Sequence, residues 1–219
     1  MFKPDEYISS LIEFLKAAFR ERLIYVGLQG SYLRGEATED SDIDIMVVIN
    51  NLSIADLTKY REAVYSTEDP DKSCGFICGI EELKNWNPLE ICHLLHTTKD
   101  YYGTVEKLVP EYTENDVRNF VKMSLGNLYH EICHRYIHAT KDQNVDKLPF
   151  TYKSLFFILQ NLYYLESGKF VETKKGLQEV LSDKDRLILD IANSLGSVND
   201  FEEKFELLFS WCKETMIRI

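Results

Sequence analysis

The sequence predicts an α+β protein, with an N-terminal mixed β-sheet and helices over residues 1–110 and a C-terminal helical bundle over 111–219. Three observations carry this. Apolar runs of strand length at Leu23–Leu28 and Asp42–Ile49 are interleaved with helical periodicities. Strand signals stop near Thr113. Only helix-period stripes continue beyond it.

Taken in order, Ile8, Leu11, Ile12, Leu15 and Phe19 form a helical stripe over 5–21, just after Pro4. Leu23–Leu28 is a buried strand that ends at Gly30-Ser31, and Asp42–Ile49 is a second strand. A helix is expected at 54–66, a short strand in "CGFICG", a helix from Glu81 and a strand around Glu90–Thr97. "TEND" reads as a capping box, with Thr113 as N-cap and Asp116 three residues on. It leads into a long amphipathic helix carrying Val117, Phe120, Val121, Leu128, Ile132 and Tyr136. Further helices are expected at about 150–166, 174–182, 184–195 and 200–217, with the aromatic run Phe150, Tyr152, Phe156, Phe157, Tyr163 and Tyr164 mostly in the core.

Bulk composition narrows the function classes. The chain has 219 residues, 45% hydrophobic and 28% charged, as in a soluble globular protein. A net charge of -11 argues against a nucleic-acid polymer as partner, which would be held through phosphate neutralisation. Five scattered cysteines, an odd number, read as thiols of a reducing compartment. No apolar run is long enough to cross a bilayer, and "MFKPDEYISS" lacks the apolar core of a signal peptide, so the expected location is the cytoplasm.

The chemistry concentrates in "LQGSYLRGEATEDSDIDIMVV". Strand alternation puts Asp42, Asp44, Met46 and Val48 on one face and Ile43, Ile45, Val47 and Ile49 on the other. Two carboxylates one step apart repel, the more so when desolvated. A hard divalent cation relieves that conflict, since Mg²⁺ takes carboxylate oxygens together with substrate phosphates. Gly30 permits close backbone approach, and Ser31 offers a hydroxyl and an N–H at a helix start, a suitable phosphate cradle. A surface turn and a strand-end acid pair is the bland alternative. The full combination, apolar strand, Gly-Ser, ten residues (32–41), then D-x-D opening a second apolar strand, is much less common by accident.

This pattern resembles the nucleotidyltransferase superfamily that includes DNA polymerase β, in its kanamycin-type and minimal antibiotic-modifying branch. The resemblance implies a sheet domain followed by a helical bundle. It implies Mg²⁺-dependent transfer of a nucleoside monophosphate, expected to be AMP from ATP, to a hydroxyl of a small-molecule acceptor such as an aminoglycoside. Gly30, Ser31 and Arg34 would hold phosphates, and Asp42 and Asp44 the metal. "YHEICHRY" matches the bundle helix that supplies a glutamate base and, four positions later, a cationic residue facing the nucleotide phosphates, here Glu131 and Arg135. Such relatives form homodimers in which two chains build each site. The superfamily's third carboxylate sits on the next strand. Gly75 aligns there, Glu90 is the expected substitute metal ligand, and Asp100 is a further one.

Two other function classes are weighed. An incomplete acid set fits a nucleotidyltransferase-fold binding module, an antitoxin-like partner or nucleotide sensor. "HEICH" also fits the H-E-x-x-H zinc-protease signature, with His130 and His134 as ligands, Glu131 as base, and His138 or Glu166 as third ligand. Cys74, Cys78, Cys92, His93 and His96 invite a second zinc site, but buried small hydrophobes are the better account of the thiols.

Overall fold

The computed structural model describes residues 2–194 and 201–219. It divides into two compact units, Met1–Tyr112 and Thr113–Ile219.

In the first unit, helix α1 (Pro4–Phe19) begins with proline at its first position and acids in its first turn, where a fixed φ and the positive helix end favour them. It buries Tyr7, Ile8, Leu11, Ile12, Leu15 and Phe19. Strand β1 (Leu23–Gln29) leads through the five-residue α2 (Gly30–Arg34) to β2 (Ile43–Ile49). Helix α3 (Ile54–Tyr65), with a capping box between Ser53 and Asp56, crosses back to β3 (Ser73–Gly79). The short α4 (Ile80–Lys84) and α5 (Pro88–His96) precede β4 (Lys99–Tyr102). The sheet is mixed, in the order β3-β2-β1-β4, with β2 and β3 parallel and the other pairs antiparallel.

Both faces of β2 are covered. Ile43, Ile45, Val47 and Ile49 pack with α1 and with Ala63 and Val64 of α3. Met46 and Val48 pack with Tyr25, Cys78, Ile80 and Leu83 on the other side. The central strand thus carries its apolar load on both faces, and the acids fall at its N-terminal end.

One element differs from the expectation. Glu90–His96 belongs to a helix, α5, with Thr97 at its C-cap, and the edge strand lies after it at Lys99–Tyr102. Asn87 caps α5 by accepting from the Leu89 amide at 3.2 Å, and Pro88 sits at its first position. That cap outweighs the strand-like apolar run "ICHLL".

The second unit is helical throughout its described residues: α6 (Glu114–His138), α7 (Lys141–Ser167), α8 (Lys174–Val180), α9 (Asp183–Ser194) and α10 (Phe201–Arg218). The Thr113–Asp116 capping box opens α6, with the Thr113 amide donating to Asp116 Oδ2 at 2.8 Å. Helix α7 starts nine residues before the expected 150 and carries Pro149 inside it, because a second box, Thr140 with Gln143, nucleates it upstream. The expected helix limits at 195 and 200 lie outside the described residues. The core gathers Val121, Leu125, Leu128 and Ile132 with Tyr152, Leu155, Leu159, Ile188 and Trp211. Of the aromatic run, Tyr152 and Phe156 are buried, whereas Phe150 and Phe157 are exposed. Asp185, fully buried, accepts from Trp211 Nε1 (2.7 Å) and Arg218 Nη2 (3.0 Å), which ties α10 to α9. No helix of the described residues is long and apolar enough to cross a membrane.

Candidate active site

The end of the sheet at which β1 leaves and β2 enters brings the Gly-Ser turn against the acid pair. Gln29 pairs with Asp44 in the β1–β2 ladder, so Gly30 follows directly beside that aspartate. Gly30 has φ +71, and a Cβ built on it would lie 1.8 Å from Asp44 Oδ2 and 2.7 Å from Asp44 Cγ. The carboxylate therefore packs on the bare Cα of Gly30. Glycine is required twice over, for the left-handed backbone and for the contact. Helix α2 carries Ser31 and Arg34 and closes at Gly35, left-handed at φ +69. Gln29 is itself held, its side-chain amide donating to Thr98 Oγ1 at 2.8 Å.

The electrostatics follow from the same packing. Asp44 is half-buried, and burial is the main cause that lifts its pKa above the ordinary carboxylate value, with the Asp42 charge adding to it. The Cys74 thiol donates a hydrogen bond to Asp44, and the Arg34 charge also acts on it; both pull the other way. Arg34 is itself largely buried, its Nε 2.8 Å from Glu36 Oε2. The corner thus holds two acids and one cation, with Glu36 clamping the cation.

Gly75 is not the strand position facing the aspartates. In the parallel register Asp44 pairs with Cys74 and Ile45 with Gly75, so Cys74 flanks Asp44. Gly75 (φ +142) presses on the β2 backbone, where a Cβ would meet the Ile45 carbonyl oxygen at 2.0 Å. Cys74 is also exposed, against the expectation of a buried thiol. Glu90 lies in the first turn of α5, where it accepts the Trp86 indole N–H at 2.6 Å. Asp100, exposed on β4, accepts from the Tyr25 hydroxyl at 2.7 Å and the Val105 amide at 3.3 Å, so its carboxylate is engaged within the sheet unit. Among the described residues no three His, Cys, Asp or Glu side chains gather into a metal-ligand set. Glu90 accordingly does not complete a cluster with Asp42 and Asp44, and the cysteines and histidines of α5 and β3 form none.

That leaves two carboxylates as the donor set. Two suffice for Mg²⁺, which keeps several waters and takes its remaining ligands from substrate phosphates, so the residues present fit this ion.

His93, weighed in the sequence only as a zinc ligand, sits instead in the electrostatic reach of Arg34. This imidazole on α5 feels the Arg34 charge, and burial, with Arg34 and His96 adding, lowers its pKa to about 4. It is neutral at pH 7. The strand assignment for 90–97 left this coupling to Arg34 unread, since the residue lies in helix α5.

In the bundle, Arg135 and Glu131 meet on α6 at 2.7 Å. Arg135 also donates to Thr151 Oγ1 (2.7 Å) and to the Asn144 carbonyl (3.3 Å). Its guanidinium ties α6 to the first turns of α7 and holds the half-exposed Glu131 carboxylate. The protease arrangement is not assembled. Among the described residues the α6 histidines join no three-ligand metal set, and Glu166 pairs with Arg218 at 3.0 Å.

A glycine-backed aspartate pair on a mixed sheet, preceding a helical bundle in the chain, defines a nucleotidyltransferase fold. Residues 8–90 match the nucleotidyltransferase domain family. It is 42% identical over 65 residues (27% of the chain, 66% of the relative) to protein adenylyltransferase MntA of Thermococcus cleftensis. It is 43% identical over 44 residues (20% of the chain, 44% of the relative) to a provisionally named protein adenylyltransferase of Methanocaldococcus jannaschii. The matches thus span less than two thirds of each curated relative. The fold is similar to that of spectinomycin adenyltransferase AAD(9) from Enterococcus faecialis, solved with ATP and spectinomycin. That likeness has a TM-score of 0.57 at 18% identity and covers 97% of this chain and 99% of the other.

Proposed function

We propose that the protein is an adenylyltransferase that moves AMP from ATP to a hydroxyl of a small hydroxylated acceptor and releases pyrophosphate. The observation that carries the reading is the Asp44 carboxylate seated on Gly30, which joins the phosphate-cradle turn and the metal-binding acids in one corner.

In this reading the α2 turn at Gly30 and Ser31 receives the triphosphate, with backbone N–H groups directed at anionic oxygens. Arg34, kept in place by Glu36, offsets charge that develops on the transferred phosphoryl group. Asp42 and Asp44 would hold Mg²⁺, which would supply positive charge against the phosphates. Glu131 takes the proton of the acceptor hydroxyl. Arg135 acts as its positioning residue, since its own donors are already directed at Glu131, Thr151 and Asn144. Most of the rate enhancement then comes from orientation and fixed charge.

A small acceptor is favoured because the likeness to the spectinomycin enzyme runs through both units of the chain, whereas the protein adenylyltransferases match only a short stretch. A protein hydroxyl acceptor is the second reading, supported by those sequence matches. Cytoplasmic location and a homodimer remain part of the proposal. The test is transfer of label from ATP carrying a labelled α-phosphate, with Mg²⁺, to spectinomycin, to aminoglycosides and to whole-cell protein extract. Label on an antibiotic supports the first reading and label on protein only supports the second. Nucleotide binding with no transfer to anything favours the binding module.

A further inference from the structure

Helix α6 carries a ladder of three histidines that the proposed reaction does not use. His130, His134 and His138 recur at four-residue spacing, and all three are exposed, on the face opposite the buried stripe of Val121, Leu125, Leu128 and Ile132. Four-residue spacing places two imidazoles on one helix face, the arrangement by which helices chelate a divalent ion.

The ring geometry separates the two pairs. A zinc–nitrogen bond of about 2.1 Å, with the ring centre roughly 1.1 Å beyond the nitrogen, sets centroids about 5 Å apart for two imidazoles at a tetrahedral angle. His134 and His138 have centroids 4.7 Å apart, tilted by 49°. His130 and His134 are 6.0 Å apart. The C-terminal pair is already at chelating separation, and the N-terminal pair is wide. Glu131, the nearest carboxylate in sequence, is held by Arg135.

We infer that His134 and His138 form a two-imidazole site for a borderline divalent ion such as Zn²⁺, separate from the Asp42–Asp44 site. Imidazole donors select Zn²⁺, Ni²⁺ or Cu²⁺ over Mg²⁺, which prefers oxygen. His138 is the last residue of α6, so the ion would bridge the final turn and fasten the helix end ahead of Ala139 and Thr140. Water or a donor from another molecule completes the coordination. Among the described residues no third His, Cys, Asp or Glu joins the pair, so the site is structural and not proteolytic.

The probe is Zn²⁺ itself, added to untagged, metal-free, full-length protein and followed by calorimetry and by the melting temperature. The wild type binds Zn²⁺ and melts higher with it, as a ligand of the folded state requires. His134→Ala and His138→Ala each weaken binding by about tenfold or more and remove the thermal shift, whereas His130→Ala leaves affinity within about threefold. All three side chains are exposed, so the substitutions leave the bundle core intact. The double variant Asp42→Asn, Asp44→Asn binds Zn²⁺ on α6 as the wild type does. Absence of wild-type binding at about 0.1 mM Zn²⁺ would overturn the inference. So would binding that survives loss of both His134 and His138, or that disappears with the aspartates.

Discussion

Replacing Gly30 with alanine, with Gly35→Ala beside it, separates backbone strain from the contact that holds the site. Both glycines are left-handed, at φ +71 and φ +69, so a side chain at either costs about 1 kcal/mol of backbone strain. They differ in what the new Cβ meets. At Gly35 there is nothing within 4 Å, while at Gly30 Asp44 Oδ2 is 1.8 Å away. An ordinary contact begins at 3.4 Å, so the Asp44 carboxylate must retreat by 3.4 − 1.8 = 1.6 Å. A displacement of about 1 Å in a reacting constellation costs about 10²-fold in rate. At roughly 3 °C per kcal/mol for a chain of this size, Gly35→Ala should lower the melting temperature by about 3 °C and keep kcat/KM within about threefold. Gly30→Ala should lose about 10²-fold in kcat/KM, with a melting temperature the same or a few degrees lower than that of Gly35→Ala. Calorimetric melting and a coupled pyrophosphate assay measure both. If Gly30→Ala matched Gly35→Ala in kcat/KM, the Gly30–Asp44 contact would have no part in organising the site.

Three further outcomes follow from the same physics. Asp44→Asn should lose about 10²–10³ in activity yet raise the metal-free melting temperature at pH 7. The folded-state pKa of Asp44 lies above its unfolded value, so its ionised form burdens the fold and stability falls as pH rises through that window. Solvent screening keeps the gain below about 1 kcal/mol, and an unchanged or lower melting temperature would contradict the cost of burying this charge beside Asp42. Cys74→Asp sets a third carboxylate beside Asp44 in the β2–β3 register. Metal-free stability should drop, and Mg²⁺ should raise the melting temperature more than it does in the wild type. Equal Mg²⁺ shifts in both proteins would show that this position does not face the metal. Asp56, buried and bonded to Arg22 at 2.6 and 3.1 Å and to Ser53, has a pKa held below the usual carboxylate range, chiefly by Arg22. Its contribution is present above the unfolded carboxylate pKa of about 4 and is lost as pH falls toward the folded value. Asp56→Asn should therefore lower the urea midpoint at pH 7 and narrow the gap from wild type at pH 3. A gap that does not narrow would count against the Arg22 pair as its source.

Features with local chemical signatures were readable in the sequence. The alternation through "DIDIMVVI" gave both faces of β2 and put the acids on one of them, because strand period is a local property. The Thr113–Asp116 box located the start of α6 for the same reason. The parts that escaped depend on partners distant in sequence. The cap of α5 at Asn87-Pro88 competed with an apolar run and won, which moved Glu90 from a strand to a helix and gave it to Trp86. Which β3 residue flanks Asp44 is a matter of register between parallel strands, invisible without the sheet, and the register substitutes Cys74 for Gly75. The i,i+4 spacing of Glu131 and Arg135 was legible. That the arginine spends its other donors on Thr151 and Asn144 was not, since those lie on the next helix. Similarly, the three histidines of α6 were visible, but only their ring separations distinguish one pair from the other.

The most direct test is the stoichiometry of adenylyl transfer by the wild type and by the Asp42→Asn and Asp44→Asn variants, with ATP, Mg²⁺ and a hydroxylated acceptor. The account predicts one pyrophosphate released for each adenylylated acceptor in the wild type, and loss of both products together in either variant while the fold is kept. Transfer that persists at the wild-type rate without these aspartates would contradict it.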